Sequence, residues 1–375
     1  MWLAYKDGAG AWTPVVGVGD VYTFTIDSGS GVLAFVQLRP GAMTEVRVHY
    51  MTQAEFTAGP LTICVPIPSV GRTITGTAAG LDMTETAWIS LGGGGVGVNG
   101  GGPLAFTLTN VSDGTHDLVG YKTDQLTPGA DTALLRRDVV VSGNGSVGTV
   151  DFRGSEAFAA ATATITVGGL ICGETLGHQM SYLVGATCEE RALGVGSRGA
   201  STPFTASGIP GARQRASDYH QLVIYTEGSG HSRLVAESFH TLAARTVTLG
   251  ASLPTPTVTS LGGPYRRLQA AYMLPADYDF STQFSYSDGA RSAVILASTG
   301  YVGGASVSLG LADFSGLTGW DNNWAPAASS TVNWAVFGDG GNLLTSSTLR
   351  PGESGRRSPC VEKMRFTWAM VSGTF

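Results

Sequence analysis

The chain has 375 residues, of which 13% are charged, and it carries a formal net charge of −6. An average soluble protein has about 25% charged residues, so this chain is unusually poor in charge. Lysine occurs only at positions 6, 122 and 363, which leaves neither the basic face of a nucleic-acid binder nor a polybasic patch for a membrane surface. No stretch approaches 18 uninterrupted apolar residues, so we expect no transmembrane helix.

Taken in chain order, most segments show the alternation of apolar and polar residues that is typical of half-buried strands. In one of them Val46, Val48 and Tyr50 share a face, and polar residues between them share the other. The predicted strands are residues 21–26, 44–50, 144–151, 161–167, 246–249 and 305–309. Asp-Gly turn signals occur at 7–8, 113–114, 288–289 and 339–340. Short helical turns are predicted at 189–193 and 212–220. The sequence therefore predicts an all-β protein of tandem antiparallel β-sandwich modules, Ig-like or prealbumin-like, with little helix.

Three breaks in composition suggest boundaries between modules. A Pro-Ile-Pro-Ser stretch lies at 66–69, a Thr-Pro-Gly turn lies within 124–131, and 253–257 is typical of an extended connector. We predict an N-terminal β unit, two β-sandwiches and a C-terminal β-sandwich, at residues 1–68, 69–126, 127–253 and 254–375. A Thr-Ile/Val-Thr motif recurs at 73–75, 164–166 and 246–248. It indicates repeated modules, or else chance in a chain rich in Thr and Gly.

Residues 73–122 combine a Thr-rich opening strand with a closing strand from Phe106 to Gly120 that contains the Asp113-Gly114 turn. This pattern resembles the carboxypeptidase regulatory-like domain, a prealbumin-like sandwich module. The resemblance implies a fold and no activity, because that module is usually an accessory to another domain. A glycine-rich insert at 92–102 departs from the family pattern and is expected to form a mobile loop. Residues 4–50 resemble bacterial secreted proteins and lipoproteins, which again implies no activity.

The composition also bears on location. The first twenty residues carry Gly and Asp where a signal peptide needs an apolar core. A chain poor in Lys and Glu and rich in Gly, Thr and Ser is typical of extracellular β proteins. We predict an extracellular or cell-surface protein whose export signal has been removed, and a cytosolic protein with its natural Met1 is the alternative.

Four cysteines stand at positions 64, 172, 188 and 360. If residues 177–179 form the turn of a hairpin centred near Met180, Cys172 and Cys188 lie opposite each other. Directly opposed residues have Cα atoms about 4.5 Å apart, which suits a disulfide. Cys64 and Cys360 either pair across almost the whole chain or stay free. Buried free thiols are the alternative for all four.

Candidate catalytic and metal-binding residues are few. Residues 230–234 resemble a nucleophile elbow, but Leu234 replaces its second glycine, so a hairpin tip is predicted. The six histidines show neither HExxH spacing nor an i, i+4 helical pair. Asp277 and Asp279 are candidate Ca²⁺ ligands, with a solvated turn as the alternative. We expect no catalytic residue and no cofactor.

Tryptophan and amide side chains crowd together within residues 318–337. Indole rings beside amides and carboxylates suit sugar binding, because sugar CH groups stack on the ring while polar neighbours bond the hydroxyls. The predicted ligand-binding loop consists of Trp320, Asp321, Asn322, Asn323 and Trp324. Three further tryptophans lie in strand patterns and are predicted to be core residues: Trp88, Trp334 and Trp368.

These observations favour a non-enzymatic, exported surface or extracellular structural protein that self-assembles through exposed strand edges. One alternative is a carbohydrate-binding or adhesive module that uses the tryptophan-rich loop. A second alternative is a secreted hydrolase with carboxylates contributed from distant positions. The expected partners are further copies of the chain, other cell-surface components or glycans, and not nucleic acid.

Overall fold

The computed structural model describes residues 2–18, 21–38, 43–57, 71–124, 130–184, 189–194, 199–342 and 365–375, with only the backbone given for 189–194. Of these residues, 58% lie in strands and 5% in helices. The strands form one sheet of twelve strands, one of five and three of three within the described ranges. The predicted all-β class is therefore confirmed.

The described strands fall into an N-terminal group and three successive sets. The N-terminal group is β1 (Leu3–Asp7), β2 (Thr13–Pro14), β3 (Ser30–Gln37) and β4 (Thr44–Thr52), followed by helix α1 (Gln53–Thr57). The first set is β5 (Arg72–Ala79), β6 (Glu85–Leu91), β7 (Gly94–Asn99), β8 (Leu104–Val111), β9 (Gly114–Asp124), β10 (Thr132–Val141) and β11 (Gly145–Asp151). A short strand, β12 (Ala157–Ala159), leads to the next set.

The second set is β13 (Ala161–Gly168), β14 (Thr175–Val184), β15 (Glu189–Gly194), β16 (Phe204–Gly208), β17 (Tyr219–Gly228), β18 (His231–Phe239) and β19 (Arg245–Thr248). It contains a 3-10 helix (Gly211–Arg213). The third set is β20 (Thr257–Ser260), β21 (Leu268–Met273), β22 (Ser281–Ser287), β23 (Arg291–Ser298), β24 (Ser306–Gly310), β25 (Asn333–Gly340) and β26 (Arg365–Thr374). It contains helix α2 (Thr299–Val302) and a 3-10 helix (Asn322–Trp324).

The first two sets have the same topology. One sheet of each set has the order third, second, fifth, sixth, which is β7-β6-β9-β10 and β15-β14-β17-β18. The other sheet has the order fourth, first, seventh, which is β8-β5-β11 and β16-β13-β19. In both sets the seventh strand runs parallel to the first, while the other pairs within the set are antiparallel. Fourteen strands therefore repeat one pattern of connections.

The third set follows the same plan with one substitution. If β21 is counted as its first strand, the larger sheet keeps the order third, second, fifth, sixth as β23-β22-β25-β26. Its fourth strand, β24, pairs with β21 as in the other sets. The position of the seventh strand is taken by β20, which precedes β21 in the chain and runs antiparallel to it.

Two joints unite these strands into the twelve-stranded sheet. The first is antiparallel pairing of β18 with β26, the sixth strands of the second and third sets. The second is parallel pairing of β23 with β4, which continues the sheet into the N-terminal group. The amino-terminal strands therefore belong to the same sheet as the larger sheets of the second and third sets.

The buried apolar clusters follow the same grouping. In the first set, Ile74 and Phe106 of the smaller sheet share a cluster with Ile89 and Leu118 of the larger one. A second cluster combines both sheets of the second set, and it also takes in Val119 from the first set. A third cluster combines both sheets of the third set with side chains from β1, β3 and β4. The predicted division into four units remains a prediction, and its boundaries near 68 and 126 lie outside the described residues.

Most predicted strands coincide with observed ones, namely β4, β11, β13, β19 and β24. The prediction of a strand at 21–26 is wrong, because Val21 makes an isolated bridge with Val18 and residues 22–27 form no strand. Phe24 and Ile26 instead pack in irregular backbone against the sheet face that carries Phe35. One-sided packing of a loop thus accounts for the alternating pattern. The helical turn predicted at 189–193 is also wrong, since these residues form β15.

The glycine-rich stretch at 92–102 is not the predicted loop. Residues 94–99 form β7, which pairs with β6 without any shift of register. Glycine is required at the start of this strand, because a Cβ atom on Gly94 would lie 2.7 Å from the carbonyl oxygen of Thr109. The turn predicted at 339–340 is likewise part of a strand, β25. A Cβ atom on Gly340 would lie 2.1 Å from the carbonyl oxygen of Asp277, so only glycine permits this close approach.

The hairpin predicted around Met180 is wrong as well. Residues 175–184 form one continuous strand, β14, and its partner β15 pairs Val184 with Glu189. Cys172 therefore lies before β14 and not on the first strand of a hairpin centred near Met180. Cys172 is exposed in a turn. The predicted pairing with Cys188, like any pairing of Cys64 with Cys360, lies outside the described residues.

Candidate functional site

The five residues of the predicted tryptophan loop lie together on one surface segment. The segment connects β24 to β25 and contains the 3-10 helix that starts at Asn322. Trp320 and Trp324 are half-buried against the core of the third set. Asp321, Asn322 and Asn323 are exposed. The structure therefore brings the predicted side chains together, with the indoles below and the polar groups above.

Trp320 is the centre of an aromatic cluster. Its ring centroid lies 4.9 Å from that of Trp2 and 5.0 Å from that of Phe314. Tyr265 and Trp324 follow at 5.4 Å and 5.5 Å. The contacts with Trp2 and Trp324 are edge-to-face, which is a favoured geometry for aromatic pairs. Much of the surface of this indole, which the sequence predicts to be a sugar platform, therefore packs against the core.

Hydrogen bonds fix the conformation of this loop. The Trp320 Nε1 donates to Asn322 Oδ1 at 2.9 Å, and the Asp321 carboxylate accepts the backbone N–H of Asn323 at 2.9 Å. The buried Tyr265 hydroxyl donates to the carbonyl oxygen of Ala312 at 3.0 Å. Burial raises the pKa of Tyr265 to about 12, so this hydroxyl stays neutral. The exposed parts of the two indoles and the side chain of Asn323 are accessible to a ligand.

Asp277 and Asp279, the candidate calcium ligands, hold neighbouring backbone instead of facing each other. Asp277 Oδ2 accepts the N–H of Ala251 at 3.0 Å, and Asp279 Oδ1 accepts the N–H of Gly341 at 2.9 Å. The side chain between them, Tyr278, is 1% exposed. No group of three or more His, Cys, Asp or Glu that could hold a metal occurs in the described part of the chain.

The elbow-like segment at 230–234 is a hairpin tip, as predicted, with Gly228 paired to His231 across the turn. Beside this tip lies an ion pair that has no signature in the sequence: Arg233 is 2% exposed and pairs with the fully buried Glu174 carboxylate. Arg233 also donates to the carbonyl oxygens of Gly250 at 2.6 Å and Gly169 at 2.9 Å. Burial is the largest single effect and would raise the pKa of Glu174, but Arg233, the Ile171 backbone N–H and Thr226 together outweigh it and hold that pKa below its usual range. Through Arg233, the segment at 230–234 therefore stabilises the packing of the second set.

A second buried ionic group joins the first set to the second. Arg137 on β10 donates to Asp117 at 2.5 Å and to Asp218 at 2.6 Å. The Tyr182 hydroxyl donates to the same Asp218 oxygen at 2.7 Å. Burial is the largest single effect and opposes ionisation of Asp218, but the hydrogen bonds from Arg137, the Arg215 backbone and Tyr182 together outweigh it and lower the pKa of Asp218. These residues are far apart in sequence, so only the fold reveals the network.

A small cleft lies where β4, α2 and β24 meet. Its volume is about 220 Å³, and it is lined by Tyr50, Tyr301, Val302, Ser306, Ser308 and Leu309. The Tyr50 and Tyr301 ring centroids are 5.2 Å apart. Burial, with a smaller effect of Tyr301, raises the pKa of Tyr50 to about 12. The wall is thus aromatic and hydroxylic without charge. The sequence pattern placed Tyr50 on the core face of its strand and held no sign of the cleft.

Two of the tryptophans that are predicted to be core residues differ in burial. Trp334 is 9% exposed and belongs to the core, as predicted, whereas the prediction for Trp88 is wrong because it is 40% exposed on β6. The alternation that placed Trp88 inward holds in this strand with the opposite phase, since Ala87 and Ile89 are the buried residues. No helix in the described ranges is long and apolar enough to cross a membrane. No protein-family model matches the chain, and a search of curated proteins also found no match.

Proposed function

We propose that this chain is a non-enzymatic structural protein of the cell surface or extracellular space, which assembles through the edges of its sheets. The single observation that carries the proposal is the joint between β18 and β26. There, two sets of strands that each have their own core are combined into one sheet by backbone pairing of their edges. Pairing of the same kind between copies would build an assembly.

We infer that each set is a two-sheet β-sandwich of the prealbumin-like type that residues 73–122 resemble. The support is that these residues span β5 to β9 of the first set, and that the second set repeats the strand order of the first. Apolar side chains from both sheets of a set enter the same cluster, which is what packing of two sheets requires. The chain would then be a tandem array of similar modules.

The chemistry of the joint supports association of this kind. Seven residue pairs connect β18 to β26, from His231 with Val371 to Glu237 with Arg365. The central pair, Leu234 with Trp368, is apolar, and an ion pair between Arg365 and Glu237 at 3.7 Å lies at one end. Backbone hydrogen bonds supply general affinity at a sheet edge, while side-chain pairs set the register. The low fraction of charged residues, 13%, leaves few like-charge contacts to oppose association.

The proposal is tested by light scattering over a range of protein concentrations, paired with negative-stain microscopy. We expect oligomers or filaments whose proportion rises with concentration. Monomers at every concentration would refute assembly. That result would favour glycan binding, for which the candidate surfaces are the tryptophan loop and the cleft between Tyr50 and Tyr301, and a glycan array would be the next experiment.

A further inference from the structure

One strand edge of the first set has none of the usual protection against pairing. In the described part of the chain, β7 ends its five-stranded sheet and pairs only with β6. Its sequence, Gly-Gly-Val-Gly-Val-Asn, has no charge and no proline, and the strand has no bulge. Three of its residues are exposed, namely Gly95, Gly97 and Asn99. Natural sheets usually guard their edges with charges, prolines or bulges, so a bare edge is informative.

Other edges of the same molecule carry such devices. The edge of β10 is covered over three residues by β12, and beyond them its register shifts between Arg136 and Val139. At the end of the twelve-stranded sheet, β2 has two residues and one of them is Pro14. The edge strand β19 has four residues and begins with Arg245. β7 has six residues and carries none of these devices.

The equivalent strand of the third set does accept a further strand. β7 and β23 are both third strands of their sets, and β23 pairs with β4 over seven residue pairs. This position in the topology thus leaves the backbone groups of the strand accessible to a partner. The β18–β26 joint adds a second precedent, because there two equivalent strands pair antiparallel, like with like.

Apolar side chains flank the open edge. Trp88 is 40% exposed and lies over Gly97, where an added Cβ atom would meet the indole at 3.3 Å. Met83 is 80% exposed, and its sulfur would lie 3.1 Å from a Cβ atom on Gly101. A strand laid along β7 would find an indole and a thioether beside it. An exposed Trp and Met beside an uncharged edge suit another uncharged, small-residue strand.

We propose that β7 pairs antiparallel with β7 of a second copy of this chain. The proposal rests on the function proposed above and names the edge through which assembly begins. A strand that pairs with its own equivalent generates a two-fold axis and a closed dimer, because each copy offers and receives the same six residues. The two five-stranded sheets would then continue into one another.

The test is the change Gly95→Lys, measured by sedimentation velocity over a concentration series. Gly95 is suitable because the nearest atom to an added Cβ is Ser90 Cβ at 3.8 Å, an ordinary contact. In a two-fold pair the variant places two lysines near one another on one edge, and like charges there oppose pairing. We expect the dimer dissociation constant to rise at least tenfold. Asn99→Lys, at the exposed end of the same strand, should act in the same direction.

The matched control is Gly145→Lys on β11, another edge of the same set, where an added Cβ atom meets nothing within 4 Å. This control should leave the dissociation constant unchanged, and circular dichroism should show equal folding of all variants. If neither β7 variant weakens association, the proposal that β7 mediates it is overturned, while the proposed function still stands. A monomeric wild type would overturn both. A dimer that survives Gly95→Lys while growth beyond the dimer is abolished would overturn like-with-like pairing, because β7 would then receive a different strand.

Discussion

Replacement of Trp320 by alanine distinguishes a packing role of the tryptophan loop from a binding role. The structure predicts that Trp320→Ala destabilises the third set of strands. Four aromatic rings surround this indole, with centroids between 4.9 and 5.5 Å away. If the indole were instead an exposed sugar platform, the same substitution would leave the stability of the fold almost unchanged.

The size of the effect is set by burial and contacts. A fully buried Trp→Ala change costs about 3–5 kcal/mol, and aromatic pairs add about 0.5–1.5 kcal/mol each beyond their buried area. Because Trp320 is half-buried, we expect a loss of about 2–4 kcal/mol in the free energy of unfolding. The loss would appear as a lower midpoint of urea unfolding monitored by far-UV circular dichroism.

Trp88→Ala is the matched control, since Trp88 is 40% exposed on an outer sheet face. It should cost under about 1 kcal/mol, as most surface substitutions do. Equal and small losses in the two variants would refute the packing argument. The indole of Trp320 would then be free for a ligand, and loss of glycan retention by Trp320→Ala would become interpretable as loss of binding.

Two further predictions concern buried carboxylates. Glu174→Ala leaves the Arg233 guanidinium buried without its counter-charge, so we expect the free energy of unfolding in urea to fall by about 3–5 kcal/mol. The control is Glu156→Ala, whose ion pair with Arg136 is at the surface and whose loss should cost under about 1 kcal/mol. Similar losses in the two variants would refute the argument from burial. Burial raises the pKa of Asp339 to about 6, partly offset by a hydrogen bond from Ser281. A folded-state pKa above the unfolded value, about 3.9, means that this group stabilises the fold below about pH 4 and that its contribution is lost as pH rises towards about 6. Asp339→Asn should therefore flatten the pH dependence of the unfolding midpoint between about pH 4 and 6, and an unchanged slope would contradict the raised pKa.

The alternation of apolar and polar residues predicted the all-β fold class and many strands, because a period of two indicates that one face of a sheet is buried. In β4, Val46 and Val48 are fully buried as the alternation indicates. The same signal failed at 21–26, where irregular backbone buries alternate side chains against a sheet. It also failed at β7, where three of the six residues are glycine, and where Gly94 lies too close to the carbonyl oxygen of Thr109 for a side chain.

The tryptophan loop was predicted from composition, and its members do lie together. Their packing could not be predicted, because the rings that surround Trp320 come from distant positions such as Trp2 and Tyr265. The same limit applies to the ion pair of Glu174 with Arg233 and to the cleft beside Tyr50. Each depends on which strands become neighbours, and a single sequence carries no direct record of strand order.

The pairing of β4 with β23 illustrates how strongly these edges attract a strand. Close to this joint, Ser298 donates a hydrogen bond to Glu55, a residue 243 positions away in the chain. Closing a loop of this length costs about 3 kcal/mol more than closing a ten-residue hairpin. Seven residue pairs and the apolar side chains that β1, β3 and β4 add to the core of the third set offset that cost. A strand on a second copy has no such loop to close but loses translational and rotational freedom instead, so association of copies depends on concentration. The open edge of β7 meets the same chemical requirement as β23, and the concentration at which a second copy occupies it is what sedimentation would measure.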